Sequence, residues 1–320
     1  MASKSACYYS LITITQFLLI CTAEKPIRPF EYLYQFGDSK ADTGNLIRLG
    51  SIGAGTAAAR LPYSETFFHR PTGRWSDGLL ITDFFAMALQ LPLLNPYLER
   101  NASFDHGANF AVAGCTTLDS SFLAARGIQT PIINTPLRPR LSAQLNWFRT
   151  LLNSTCSSQA ECVRRLNRAL VFVGEIGDND VSYALAEGKS IQEIQSYIPD
   201  LVRVIINGVR NNLLQKAIGS LRQEFPHVVV VYADYYSSFQ SILRRAPFLG
   251  FDKQSLLRAC CGIGGTYNYD ANGMCGSQGV SVCPNPKQYI HWDGIHLTQE
   301  AHHCISDILK NILFQIQCVF

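Results

Sequence analysis

The sequence predicts an α/β fold built on a parallel sheet, and three observations carry that prediction. Short apolar runs alternate with segments of helical periodicity along the 320 residues, as expected for strands buried on both faces between crossover helices. Three groups able to carry chemistry fall just after strand candidates, where open α/β sheets place their ligands. No internal repeat or low-complexity segment divides the chain. One domain is therefore expected over residues 24–320, with irregular loops taking up part of a length at the upper edge for one core.

The elements follow in chain order. Lys4 precedes an apolar run from Leu11 to Cys21, with small residues at Cys21 and Ala23. Residues 1–23 thus have the plan of a cleaved signal peptide, and the run falls short of the roughly 20 apolar residues that a bilayer span requires. Residues 32–36 are the first strand. Asn45-Leu46-Ile47-Arg48-Leu49 can begin a helix, which puts Ser39 of Gly37-Asp38-Ser39 on a strand-to-helix turn. Such a turn exposes Oγ at the carboxyl end of a strand, among free backbone N–H groups and a favourable helix dipole. A helix-cap role for Ser39 is the bland alternative. A helix is predicted over 79–91, a strand over 108–113, a helix over 140–152 and a strand over 170–173. Pro199, suited to a first helical position, opens the next helix, and 228–233 form a fourth strand. The last helix covers 298–316 with Thr298 as its N-cap.

A serine hydroxyl needs an imidazole to take its proton and a third group to hold that imidazole. Asp293-Gly294-Ile295-His296 can supply both, because a carboxylate three residues ahead in a turn can accept the Nδ1 proton and leave Nε2 facing the serine. His291, Asp293 and His296 also read as a zinc ligand set. That reading ignores the serine motif and lacks a helical His-Glu-x-x-His pattern.

Four further stretches complete a pattern. They are Phe67-Phe68-His69-Arg70-Pro71-Thr72-Gly73-Arg74-Trp75-Ser76-Asp77-Gly78, Gly107-Ala108-Asn109-Phe110-Ala111-Val112-Ala113-Gly114, Gly174-Glu175-Ile176-Gly177-Asp178-Asn179-Asp180 and Trp292-Asp293-Gly294-Ile295-His296-Leu297-Thr298. With Phe36-Gly37-Asp38-Ser39 and Asp42-Thr43-Gly44-Asn45, the chain resembles the plant GDSL esterase/lipases of the SGNH hydrolase superfamily over nearly its whole mature length. Within that family it is most similar to the alkaloid-acetyl and sinapoyl-choline esterases. The resemblance implies a three-layer, flavodoxin-like parallel sheet flanked by helices. It implies a serine esterase or lipase acting without metal or cofactor on a small-molecule or lipid ester, with Ser39 as nucleophile, His296 as base and then acid, and Asp293 as its orienter. The oxyanion hole would comprise the backbone N–H of Ser39, the backbone N–H of Gly114 and the side-chain amide of Asn179. Glycine permits close backbone approach, and an asparagine places a donor without adding charge. Taken singly, Gly114 and Asn179 also read as ordinary turn residues. Acyl transfer to an alcohol through the same residues, and an inactive variant, are the alternatives to hydrolysis.

Composition agrees with a secreted hydrolase. Lys and Arg total 27 against 24 Asp and Glu, a balance of +3 with no long basic run, which excludes a phosphate-tracking nucleic-acid partner. No later run is long enough for a stable membrane span. Removal of Cys7 and Cys21 with the signal leaves nine of eleven cysteines, so at least one has no partner within the chain. Cys156 and Cys162 flank a short polar loop and are expected to bridge. Cys260, Cys261, Cys275 and Cys283 are expected to form two cross-links in a Gly-rich loop, and Cys115 reads as a buried free thiol. Asn101-Ala102-Ser103 and Asn153-Ser154-Thr155 are glycosylation acceptors if the chain is secreted, extracellularly or to the vacuole.

One departure from the family stands out. Members usually carry a Pro-Gly-x-x-Pro-x-Gly-Cys strand and a cysteine-containing loop between the asparagine block and Tyr232-Ala233-Asp234-Tyr235-Tyr236. Here residues 205–215 run directly into a helical pattern ending near Phe225. The expectation is an internal deletion near residues 208–212, one missing family strand and two fused helices from Pro199 to Phe225. Lower thermal stability and protease sensitivity around 208–212 would follow.

Overall fold

The computed structural model describes residues 30–130, 140–208 and 232–317. Three parallel strands, β1 (Tyr32–Phe36), β2 (Gly107–Asn109) and β3 (Ala169–Val173), form a sheet in the order β2-β1-β3. β1 pairs with β3 from Tyr32↔Ala169 to Phe36↔Val173 and with β2 from Leu33↔Gly107 to Gln35↔Asn109. The helices of eight residues or more among the described residues are α1 (Ile81–Ala88), α2 (Leu141–Thr155), α3 (Gln159–Asn167), α4 (Asp178–Ala186), α5 (Ile191–Gly208), α6 (Tyr235–Arg245) and α7 (Gln299–Gln317).

Because side chains alternate along a strand, β1 faces two cores. Tyr34 and Phe36 pack with Phe110 and with Leu145 and Phe148 of α2. Leu33, with Leu170 and Phe172 of β3, faces the other way, toward Phe85 of α1, Ile242 of α6 and Ile305 of α7. Helices therefore cover both faces of a parallel sheet, the expected three layers, with the strand that leads to Ser39 in the middle.

Several boundaries differ from the sequence reading. The ladder of β2 stops at Asn109, because Asn109 Oδ1 takes the Ala111 N–H and turns the chain; Phe110 N and Val112 N still reach Gln35 O and Gly37 O. The helix predicted over 79–91 shortens to Ile81–Ala88. The helix expected from Pro199 begins eight residues earlier, at Ile191. Ser190 and Glu193 form a reciprocal cap there, Ser190 Oγ accepting from Glu193 N and Glu193 Oε2 accepting from Ser190 N, a stronger start signal than proline. Pro199 and Gln195, whose carbonyl loses its helical partner, both lie on the exposed side, so water can satisfy that carbonyl. Thr298 caps α7 as predicted, its Oγ1 accepting from Ala301 N. The signal segment 1–23, most of the strand predicted over 228–233, and the fused helix beyond Gly208 lie outside the described residues.

Candidate active site

The carboxyl ends of the three strands lead into three turns, and side chains of those turns tie them together. The first begins at Gly37, which is braced by Gln144 of α2: Gln144 Oε1 accepts from Gly37 N at 2.9 Å and its Nε2 donates to Gly37 O at 2.7 Å. The same Nε2 lies 3.0 Å from Cys115 Sγ, in the turn after β2. Asp42, fully buried, accepts from the amides of Gly44, Asn45 and Leu46 in its own turn and from Ala113 across the sheet. Asn45 donates to the carbonyls of Asn109 and Ala111, and Asn109 donates back to Ala41 O.

One expectation is modified. Asp42 caps the amides of Asn45 and Leu46, and the helical start expected there is a single 3-10 turn at Leu46–Arg48 followed, from Gly50 at φ +67°, by a short α-helix, Gly50–Ala54. Ser39 therefore sits on a clamped turn followed by short helical segments and not by one continuous helix. Asp38 N, Ala41 N and Asp42 N are engaged by backbone carbonyls and Lys40 N by Asp38 Oδ1. Ser39 N and Gly114 N donate to no group among the described residues.

Ser39 Oγ lies 2.9 Å from His296 Nε2, and His296 Nδ1 lies 2.7 Å from Asp293 Oδ2. Residues 257 positions apart are thus joined, with Ser39 partly exposed and the pair behind it buried. Asp293 Oδ1 accepts from Ile295 N and His296 N, which folds the four-residue segment into the turn that its spacing predicts. Burial works against the charge of Asp293, but the facing His296 and the hydrogen bonds from His296 and Tyr63 overcome it and hold the carboxyl down at about 2. Two disulfides, Cys260–Cys283 and Cys261–Cys275, brace this region, since Cys260 N and Cys261 N donate to the carbonyls of His291 and Trp292.

The third turn leads into α4, whose second residue is Asn179. Its Nδ2 donates to Cys115 O at 3.0 Å, and Tyr183 OH donates to Gly114 O at 3.3 Å, which brings α4 against the turn after β2. Gly114 adopts φ +78°, where a side chain is disfavoured. An amide nitrogen carries two hydrogens, so Asn179 keeps one beyond its bond to Cys115. Lys40 Nζ, 3.1 Å from Asp178 Oδ2, ties the serine turn to the asparagine turn. Burial raises the carboxyl of neighbouring Asp38 to about 6 and that of Glu175 to about 7, with Lys40 opposing both shifts.

Sequence reasoning did not single out Tyr63, Gln144 or the separate duties within the 67–78 block. Trp75 packs its ring 5.0 Å from that of His296. Arg74 and Asp83 form a buried bidentate pair, Nε to Oδ2 and Nη2 to Oδ1 each at 2.8 Å, while Arg74 Nη1 reaches Thr43 O. Truncating one partner leaves the other charge buried, so Arg74→Met should lower stability by about 3–5 kcal/mol. Urea unfolding of the variant should show that loss as a lower midpoint at unchanged slope.

Of the remaining cysteines, Cys156 and Cys162 are bridged. Cys115 is buried and free, and burial pushes its thiol well up. Asn101 and Asn153 are both exposed. No helix among the described residues is long and apolar enough to cross a membrane.

A family model described as GDSL-like lipase/acylhydrolase matches residues 33–309. Acetylajmalan esterase of Rauvolfia serpentina is 45% identical, over 92% of this chain and 88% of its own length. Sinapine esterase of Brassica napus is 36% identical, over 93% and 91%, and a GDSL esterase/lipase of Arabidopsis thaliana is 35% identical, over 95% and 90%. The first alignment runs over 347 positions, whereas 92% of 320 residues is about 294. About 50 alignment positions therefore face gaps in this chain, a size that suits an internal deletion. Most of the region where the sequence places that deletion, from residue 209 to 231, lies outside the described residues.

Proposed function

We propose, from the premise that the chain belongs to the GDSL-like lipase/acylhydrolase family and is a carboxylic ester hydrolase, that it works through an acyl-serine formed on Ser39. The observation that carries this reading is the unbroken line of hydrogen bonds from Ser39 Oγ through His296 to Asp293. His296 Nε2 takes the serine proton as Oγ attacks the ester carbonyl, Asp293 steadies the imidazolium, and the same proton goes to the departing alcohol. Water then repeats the sequence to release the acid. The acetyl ester named for the 45% relative makes a small ester the first substrate class to test. Secretion is part of the proposal, supported by three disulfides and two exposed glycosylation acceptors.

The oxyanion hole is assigned to Ser39 N, Gly114 N and Asn179 Nδ2. Their support is that the two amides have no partner among the described residues and that Asn179 is anchored on the Gly114–Cys115 turn. Asn179→Ala should lower kcat by about 10²–10³ with a small change in KM, since the donor acts on charge present only in the transition state. An unchanged kcat would remove Asn179 from the mechanism.

Pre-steady-state hydrolysis of p-nitrophenyl acetate tests the reading as a whole. A burst equal to the enzyme concentration followed by turnover in water is expected. Turnover only after addition of an alcohol would mean acyl transfer, and no acylation by folded protein would mean an inactive variant.

A further inference from the structure

Tyr63 lies 230 residues from Asp293 in sequence, yet its hydroxyl is 2.7 Å from Asp293 Oδ2. That oxygen also accepts from His296 Nδ1, likewise at 2.7 Å. With Ile295 N and His296 N on Oδ1, the carboxylate has a donor for each of its roughly four acceptor sites. The tyrosine is fully buried, with its ring edge-on to Trp75 at 5.6 Å and to Trp292 at 6.0 Å. Trp75 in turn packs on His296. Rigid aromatic packing therefore fixes where the hydroxyl points, and burial together with the facing Asp293 raises the phenol's pKa, so it stays a donor.

We propose that Tyr63 is a positioning residue that sets how strongly Asp293 holds the imidazolium of His296, through a hydroxyl that shares Asp293 Oδ2 with His296 Nδ1. A hydrogen bond to a charged acceptor draws charge toward the donor, so the tyrosine and the imidazole compete for one oxygen. Removing the hydroxyl frees that charge for His296, favours its protonated form, and moves the onset of activity to higher pH. It also loosens the orientation of Asp293 and lowers the plateau. The inference rests on the acyl-serine reading above.

Other charged and titratable groups around the pair act from fixed positions. Asp38 on the serine side and His291 ahead of Asp293 both feel it electrostatically. Burial holds His302 of α7 down at about 3, so it is neutral there, and the charge of Arg60 acts on Tyr63 against the rise in its pKa. None of them donates to Asp293 Oδ2.

The test is the pH profile of kcat/KM for p-nitrophenyl acetate in Tyr63→Phe, which keeps the ring. Its acid limb should move up by about half a pH unit or more, and its plateau should fall about three- to tenfold, the net size of one hydrogen bond. A merely structural hydroxyl would lower the thermal midpoint and leave the limb in place, and that result overturns the proposal. Should Tyr63→Phe fail to fold, 3,5-difluorotyrosine at position 63 decides the matter. Its more acidic phenol is a stronger donor, so the limb must move down; an unmoved or raised limb refutes the proposal. Activity surviving in Ser39→Ala would refute the acyl-serine reading itself, whereas an inactive Ser39→Ala with a superimposed Tyr63→Phe profile would refute only the role of Tyr63.

Discussion

Ser39→Ala is expected to lower kcat for p-nitrophenyl acetate by about 10⁴-fold or more and to abolish labelling by a fluorophosphonate. Oγ is the atom that would form the acyl bond, and nothing else at the end of β1 replaces it. His296 and Asp293 would remain paired, but a base without its nucleophile can only assist water, and the gain from holding the attacking atom in place is lost. The variant should fold normally, because the hydroxyl makes its one described hydrogen bond to His296 and lies at a partly exposed position. Intact-mass analysis after labelling, with a thermal melt alongside, checks both halves of the expectation. Label found on another serine of the unmodified protein would show that the nucleophile lies elsewhere.

Asp293→Asn should be nearly as damaging, lowering kcat by about 10⁴-fold while changing the shape of the site little. The backbone amides of Ile295 and His296 demand an acceptor, so the asparagine oxygen should stay at the Oδ1 position. Its NH₂ group then faces His296 Nδ1 and donates where the carboxylate accepted. The imidazole is forced to carry its proton on Nε2, the nitrogen that faces Ser39, and cannot take the serine proton. Tyr63 loses its acceptor in the same step. The effect should persist across the pH range, since it comes from the wrong tautomer. In the unmodified protein the Asp293 carboxyl is held at about 2, so protonation of Asp293 should not set the acid limb above pH 4. A Asp293→Asn variant with more than a tenth of the original kcat would mean that Asp293 does not orient His296.

The sequence by itself determined those features whose causes lie within a few residues. The apolar run ending at Phe36 makes a strand, and the small and polar residues after it make the turn that carries Ser39. The three-residue interval from Asp293 to His296 brings a carboxylate to Nδ1 in one turn, and Thr298 caps the helix that follows. Cys156 and Cys162 are near enough to pair on spacing alone. Where local signals compete, the outcome was less legible. A helix start at Pro199 was a reasonable reading of one residue, but the Ser190–Glu193 cap and an exposed Gln195 carbonyl carry the helix through it.

Tertiary structure decided everything that depends on which strand ends lie side by side. Asp42 looked like part of a turn and proves to hold Ala113 of the neighbouring turn as well. Gln144, within an ordinary amphipathic helix, reaches both Gly37 and Cys115. Adjacent Cys260 and Cys261 left their partners open until the loop brought Cys283 to one and Cys275 to the other. Tyr63 had no visible link to Asp293 until the aromatic wall of Trp75 and Trp292 turned its hydroxyl inward. The physical reason is common to all four. Strand, turn and cap formation depend on backbone geometry and the nearest side chains, whereas a bond between distant residues depends on how burial packs the segments that carry them. The order β2-β1-β3 brings the turns of Asp42 and Ala113 together, and the cluster around Trp75 and Trp292 holds Tyr63 and the cysteine loop.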